Sequence, residues 1–467
     1  LMSPPPWLVV VNVMLGTVTV SLNNSALNPA IPAFIAAFDL GPVLASWIMA
    51  AFMASMGMTM PLTGYLSQRL GRKTLYLSGL ALFVAGSLLG ALAQSIEAVL
   101  AARVIQGMAS GLMIPLSLAI IFSVYPKELR GRVTGLWGAA VMLAPAVGPL
   151  CGSLVLEFYR WPALFLINVP VGLLGLVLGL KVLPASEPPK KQPFDLLAYL
   201  LIASGIGLLL VTTGRLQTLA SLMNPVNQGM LLAAFSCLGG FVWLTLRRRF
   251  PLLNLRLFNQ SAYRSSVVIA VVQAVGMFES LLLAPLLIQL VMGYSAIWTG
   301  LVLLATAVFA SLFGQIGGRQ LDRKGPQGTV SLGLLLTGLA TMGLGLITPD
   351  TAIVWVFVLM AVRGAGIGLS YMPVTTAGIN ALPENMVTEG AVMNNISRRL
   401  CASLALVLAS LWLEFRLGGS GFNHPEQYAS AISDVFLATG GLVLIALPWA
   451  LNFGGESVAE STAAEPS

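Results

Sequence analysis

Apolar runs of about 20 residues follow one another from residue 7 to residue 453, with only short polar breaks between them. A helix needs that length to cross a bilayer, and hydrocarbon leaves a chain two spanning solutions, helices or a closed barrel. The runs are continuously apolar and do not alternate, which excludes a transmembrane β-barrel. Of the 467 residues, 57% are hydrophobic and 9% charged, too little charge to cover a soluble domain of this size. The expected class is an all-α polytopic protein whose solvent is the lipid bilayer.

Breakers such as Gly71, Pro126, Pro184, Pro251 and Gly325-Pro326 divide the runs into fourteen spans: 7–31, 43–66, 73–94, 97–124, 131–157, 161–183, 194–214, 227–248, 263–292, 296–320, 326–348, 351–375, 389–415 and 430–453. Seventeen of the 24 Lys and Arg residues then fall in the loops that join even spans to odd ones, and the alternate loops hold only Arg160, Arg215 and Arg416. Basic residues mark the cytoplasmic side, so both termini are expected to be cytoplasmic. The net charge of +7 and the pI of about 9.5 come from these loops and imply no nucleic-acid partner. Cys151, Cys237 and Cys401 all lie in apolar runs and form no disulfide framework. The first run is too long, and lacks the basic flank, for a cleavable signal peptide. No P-loop and no metal-ligand cluster is visible, so neither a cofactor nor an enzymatic activity is expected. His424, in the last outward loop, reads as a surface residue.

Two segments recur. The loops 64-GYLSQRLGRK-73 and 318-GRQLDRKGPQ-327 share G-x-x-x-[D/Q]-R-x-G at an offset of 254 residues, and 103-RVIQGMASG-111 and 363-RGAGIGLS-370 share an arginine followed by small residues at an offset of 260. Duplicated halves are the mark of secondary transporters, whose substrate site lies near the midplane between the halves. The chain divides accordingly into a six-helix bundle (1–185), two linking helices with a cytoplasmic loop (186–262), a second six-helix bundle (263–455) and a cytoplasmic tail (456–467).

These residues resemble the major facilitator superfamily, and within it the fourteen-span drug:proton antiporters, over nearly the whole chain. The loop at 64–73 matches that superfamily's G-x-L-a-D-r-x-G-r-[K/R] pattern, and 102-ARVIQGMASG-111 its second motif. The segment 148-GPLCGS-153 is similar to the antiporter motif G-P-x-x-G-G. Two more segments, 161-WPALFLINVPVG-172 and 251-PLLNLRLF-258, are similar to the fourteen-span family's WRWxFxINVPxG and PLLDLRLF. Three departures replace an acid by its amide. Gln68 stands for the loop aspartate, Asn254 for the aspartate of PLLDLRLF, and Asn23 lies where relatives often carry an acid. The resemblance implies a major facilitator fold with no catalytic residue. It further implies a secondary active exporter of small amphipathic drugs or metabolites by proton antiport, working as a monomer in the inner membrane of a bacterium.

Residue chemistry supplies the candidate sites. Glu279, in 273-QAVGMFESLLLAP-285, is the one acid placed deep in a span, and an intramembrane acid is a functional candidate by default. It is assigned to proton coupling with Arg103, whose alternative role is structural, bonded to helix carbonyls. Asn23, Asn24, Asn28, Arg363 and Asn395 are candidates for the substrate cavity, with Asn24 and Asn28 on one helix face. Asn395, Arg398 and Arg399 cluster near the start of span 13, at a depth the sequence leaves open. Gly64, Gln68, Arg69, Gly71, Arg72, Asp322 and Arg323 form the candidate cytoplasmic gate. There Asp322 has two roles open to it, pairing with a cation or capping a facing helix. Pro145, Gly148, Pro149 and Gly152 make the fifth span a candidate bend point. Substrate charge stays open: a neutral, zwitterionic or acidic metabolite such as a siderophore is the alternative, and a transport-inactive sensor or scaffold is an alternative of another class.

Overall fold

The computed structural model describes residues 5–39, 42–185, 193–216, 218–417, 425–451 and 453. Lys190, Lys191, His424, the 456–467 tail and the side chain of Asn28 lie outside the described residues. Among those described, all regular structure is helical. The long helices are α1 (Pro6–Ala26), α2 (Pro42–Leu70), α3 (Arg72–Ala91), α4 (Ile96–Val124), α5 (Lys127–Phe158), α6 (Pro162–Val182) and α7 (Leu196–Arg215). They continue with α8 (Pro225–Arg247), α9 (Ser261–Val291), α10 (Ala296–Lys324), α11 (Pro326–Leu344), α12 (Ile353–Asn380), α13 (Val387–Leu417) and α14 (Pro425–Ile445). Thirteen of these are long and apolar enough to cross a membrane; α2, whose first residues are not fully described, is the fourteenth at 29 residues.

Helix starts follow local chemistry. Proline opens α8 and α11 at positions where its missing N–H costs nothing. Ser95 caps α4 by accepting from the Ala98 N–H (3.3 Å). Asp195 caps α7 through the Ala198 N–H (3.1 Å) and also pairs with Arg248 (3.1 Å). The repeated loop glycines explain themselves here. Gly71 has φ +84° and Gly325 φ +78°, conformations open to glycine alone, and each turns one long helix sharply into the next. The first span differs from its expected form. It breaks after Ala26 into a 3-10 turn, Asn28–Ala30, and resumes as a short helix, Ile31–Phe38, because Pro29 and Pro32 cannot supply ladder N–H groups.

The pairing of helices repeats. In the first half α4 packs on α1, α2 and α3, α1 packs on α5 and α6, and α3 on α6. In the second half α12 packs on α9, α10 and α11, α9 on α13 and α14, and α11 on α14. Adding eight to each first-half label gives the second half, so the duplication read from the loops extends to the whole bundle. The crossing between halves obeys the same symmetry: α5 lies against α10 and α12, and α13 against α2 and α4. The linking pair sits outside this frame, with α7 on α2 and α8 on α7.

Small residues set the closest approach between halves. A Cβ on Gly318 of α10 would strike the Gly131 carbonyl of α5, and one on Gly135 would stand 2.6 Å from the Gly314 carbonyl. Backbone meets backbone here, so no side-chain movement can relieve an added group. Gly318→Val is therefore expected to cost the closed form about 1–3 kcal/mol. Gly328→Val, at a glycine with open space around it, is the matched control. Thermal melting of the purified protein checks this: a lower midpoint for Gly318→Val alone is the expected result.

Candidate functional site

The side-chain hydrogen bonds that join the loop motifs of one half to the other half gather at one end of the bundle, the end carrying Arg69, Arg72, Lys127, Arg130, Arg323 and Lys324. The two loop motifs meet their partners there in parallel fashion. At the end of α10, Asp322 accepts from the backbone N–H groups of Gly131 and Arg132 near the start of α5, each at 2.7 Å. This is the helix-capping role, and it places a negative charge at the positive end of the α5 dipole. At the end of α2, Gln68 donates through Nε2 to Oε1 of Glu389 in the first turn of α13 (3.0 Å). The first motif has thus exchanged places with its partner: the amide is on the loop and the acid is on the facing helix. Gly64 and Gly318, equivalent in the repeat, are each the point where that facing helix comes near, at Glu389 and Gly131 respectively.

Further contacts close the same end. Arg130 pairs with Glu384 (2.8 Å), donates to Asn380 Oδ1 (3.2 Å) and to the Phe122 carbonyl (2.7 Å), and stacks on the Phe122 ring. Arg72 reaches the Glu384 carbonyl (3.4 Å). Thr134 and Thr376 share a hydrogen bond of 2.7 Å, and Ser311 donates to the Ala139 carbonyl (2.9 Å). Arg69 instead turns along its own helix to Tyr65 (2.6 Å), and Arg323 is exposed. The second oxygen of Glu389 is buried without a hydrogen bond and borders a small pocket lined by Gln68, Asp195, Pro251 and Leu252.

Arg103 is fully buried in the first half. Its Nε donates to the Ile48 carbonyl (3.0 Å), Nη1 to Gln106 Oε1 (2.9 Å) and Asn23 Oδ1 (3.3 Å), and Nη2 to Asn24 Oδ1 (2.9 Å), over the Phe52 ring. Among the described residues its partners are amides and a carbonyl, with no carboxylate. Asn23 also donates to the Leu164 carbonyl (3.4 Å).

Glu279 lies in a seam of the second half. It is 7% exposed, accepts a hydrogen bond from the Thr439 hydroxyl of α14, and stands within electrostatic reach of Arg363. Arg363 is itself held by Thr341 Oγ1 (3.0 Å) and the Gly276 carbonyl (2.5 Å). Glu279 and Arg103 are therefore in different halves. The candidate cavity residues divide in the same way: Asn23 and Asn24 with Arg103, Arg363 with Glu279, and Asn395 with Arg398 on α13 (2.8 Å). On α5, Gly148 lies against Ser25 and Gly152 against the Ala26 carbonyl, so the stretch with Pro145 and Pro149 packs on α1 within one unbroken helix. Among the described residues no three His, Cys, Asp or Glu side chains stand together to hold a metal ion.

Sequence reasoning missed Glu389, which falls on the limit of span 13 and was not singled out. The amide at Gln68 was the available signal, because the charge it lacks reappears on the helix it faces. It also missed Arg130 with Glu384, counted only as loop charges.

Comparison with known proteins agrees with this architecture. The family model of the major facilitator superfamily matches residues 13–406. The uncharacterized MFS-type transporter YcnB of Bacillus subtilis (strain 168) is 29% identical over 439 residues, covering 94% of this chain and 93% of its own. The multidrug resistance protein B homolog of Mycobacterium tuberculosis (strain ATCC 25618 / H37Rv) is 29% identical over 426 residues, covering 90% of this chain and 77% of its own. In fold, the human organic anion transporter MFSD10 superposes with a TM-score of 0.67 at 17% identity, over 96% of this chain and 100% of its own. The chain is a multi-pass membrane transporter that belongs to the major facilitator superfamily.

Proposed function

We propose that the chain is a secondary active exporter of small amphipathic molecules, driven by proton antiport through alternating access. The two bundles, 1–185 and 263–455, rock against each other, while 186–262 joins them at the periphery. The basic end is the cytoplasmic one by the charge bias of its loops, so the arrangement described is closed to the cytoplasm. Relatives named for multidrug resistance support export of amphipathic compounds.

Glu279 carries the proton reading. Deep in a span an acid is costly and persists where it has work to do. Its hydrogen-bond partner is a hydroxyl that can rotate, and Arg363 lies within electrostatic reach with no ion pair between the two among the described residues. Asn23, Asn24 and Asn395 are the cavity amides of this reading, with Arg103 holding the first two in place. The gate comprises Gly64, Gln68, Arg72 and Asp322 together with Glu389 and Arg130.

One observation favours the second reading, export of a neutral, zwitterionic or acidic metabolite such as a siderophore. The first half presents amides at Asn23 and Asn24, where recognition of a lipophilic cation calls for a carboxylate. A sensor or scaffold on the same fold moves no compound in any assay, which separates it from both.

In proteoliposomes with an imposed pH gradient, Glu279→Gln is expected to lower substrate accumulation to the level of protein-free vesicles while substrate binding persists. Full gradient-driven accumulation by this variant sinks the coupling assignment. The gate is tested at Gln68. Replacement by Glu sets two carboxylates against each other and removes the Gln68 hydrogen bond to buried Glu389, a loss of about 1–3 kcal/mol. Spin labels at exposed positions 127 and 324, in a cysteine-free background, are expected to show a shift to longer distances in Gln68→Glu.

A further inference from the structure

We propose that Arg398 and Arg399 on α13 form an anion-binding site, one that anchors the oxyanion head of an amphipathic substrate between the two halves. The proposal rests on the transport reading and narrows its substrate class to anions.

A guanidinium inside the membrane has to face protein donors' partners, a counter-charge or a polar space. The four arginines within spans differ in how this is met. Arg103 makes four hydrogen bonds, and Arg363 makes two with Glu279 in reach. Arg398 makes one, to Asn395, and lies over the Tyr371 ring at 4.8 Å; its Nε is buried and unmet. Arg399 has no hydrogen-bond or ion-pair partner among the described residues, and its Nε too is buried and unmet. Arg399 is partly exposed and so is not sealed within the bundle.

The neighbours repeat the pattern. Asn394 is 1% exposed, and neither its amide nitrogen nor its oxygen has a partner. Residues 394 and 398 are four apart, and 395 lies three and four before 398 and 399, so all four side chains share one stretch of helix surface. Arg398 is 11 residues past Val387, about 17 Å along the helix, which is near the middle of a hydrocarbon core about 30 Å thick. Among the described residues no carboxylate forms an ion pair with either arginine. Glu389 precedes Arg398 by nine residues, about 14 Å along the axis, and it is engaged by Gln68. Glu279 is held by Thr439 and faces Arg363.

The surroundings supply the apolar half of the ligand. Tyr371, whose ring lies under Arg398, belongs to the same buried apolar cluster as Ile367, Met393 and Ile396. Unmet donors on two neighbouring arginines, beside the aromatic surface of Tyr371, fit a carboxylate or sulfonate on a hydrophobic body.

The test is a binding measurement that does not depend on proton coupling. In nanodiscs of zwitterionic lipid, the purified protein is titrated with dansylated undecanoic acid and with its methyl ester. The wild type is expected to bind the acid about tenfold or more tightly than the ester. Arg399→Gln and Arg398→Gln are expected to reduce that preference, with ester binding unchanged as the check on folding. Arg399→Lys retains most of it. Equal affinity for acid and ester in the wild type, or a preference that survives both Gln variants, overturns the proposal. Displacement of the acid by added phosphatidylglycerol at trace levels makes a lipid headgroup the occupant and overturns the substrate assignment. Loss of pH-driven transport with the acid preference intact counts against the antiport reading and leaves this site standing.

Discussion

Every polar group that enters the hydrocarbon has to be met from within the protein, because lipid offers nothing in exchange. The organisation of this chain follows from how each such group is met. Arg103 is surrounded by the oxygens of Asn23, Asn24, Gln106 and the Ile48 carbonyl, and this ties α1, α2 and α4 together. Arg363 does the same for α9, α11 and α12 through Gly276 and Thr341. Each arginine is thereby an internal fastener of its own half, which leaves the halves as two units joined chiefly at one end.

At that end the requirement is met across the divide. The start of α5 presents N–H groups and the end of α10 presents Asp322; the start of α13 presents Glu389 and the end of α2 presents Gln68. Under the proposed alternating access these contacts form only while the end is closed, and so would bias that equilibrium. The two are physically unlike. Asp322 brings a full charge to backbone dipoles. Gln68 brings a neutral donor to a buried carboxylate, and leaves that carboxylate's second oxygen unmet. The duplicated frame thus closes with one charged latch and one whose charge has changed sides.

The helices were legible because span length is fixed by bilayer thickness and apolar runs report length directly. Fourteen runs in the sequence correspond to fourteen long helices, and the loop glycines at 71 and 325 announced the repeat because their backbone geometry admits no other residue. Rotation about the helix axis was not legible. Hydropathy placed Glu279 deep in its span, yet Thr439, some 160 residues later, decides which seam it occupies. Nor could any run of letters show that Asn23 and Asn24 point at Arg103, or that Glu389 at a span limit is 8% exposed. Burial at a helix end depends on what the other half places over it. The break in α1 was written in Pro29 and Pro32 but was obscured by the apolar residues around them.

The exchange of acids for amides has a consequence for the whole interior. With a carboxylate at position 23, the charge of Arg103 would be neutralised locally. As an amide, Asn23 satisfies the hydrogen bonds and leaves the charge. Arg103, Arg398 and Arg399 then stand without a carboxylate partner among the described residues, while Glu279 is held by Thr439 beside Arg363 and Glu389 by Gln68. Low-dielectric walls focus such a field onto any space between the halves. A cation entering that space moves against the field and an anion moves with it. On the proposed transport reading, the amide at Asn23 both removes a candidate proton carrier from the first half and leaves the charge of Arg103 unneutralised, and the two effects share one cause, the missing oxygen charge on α1.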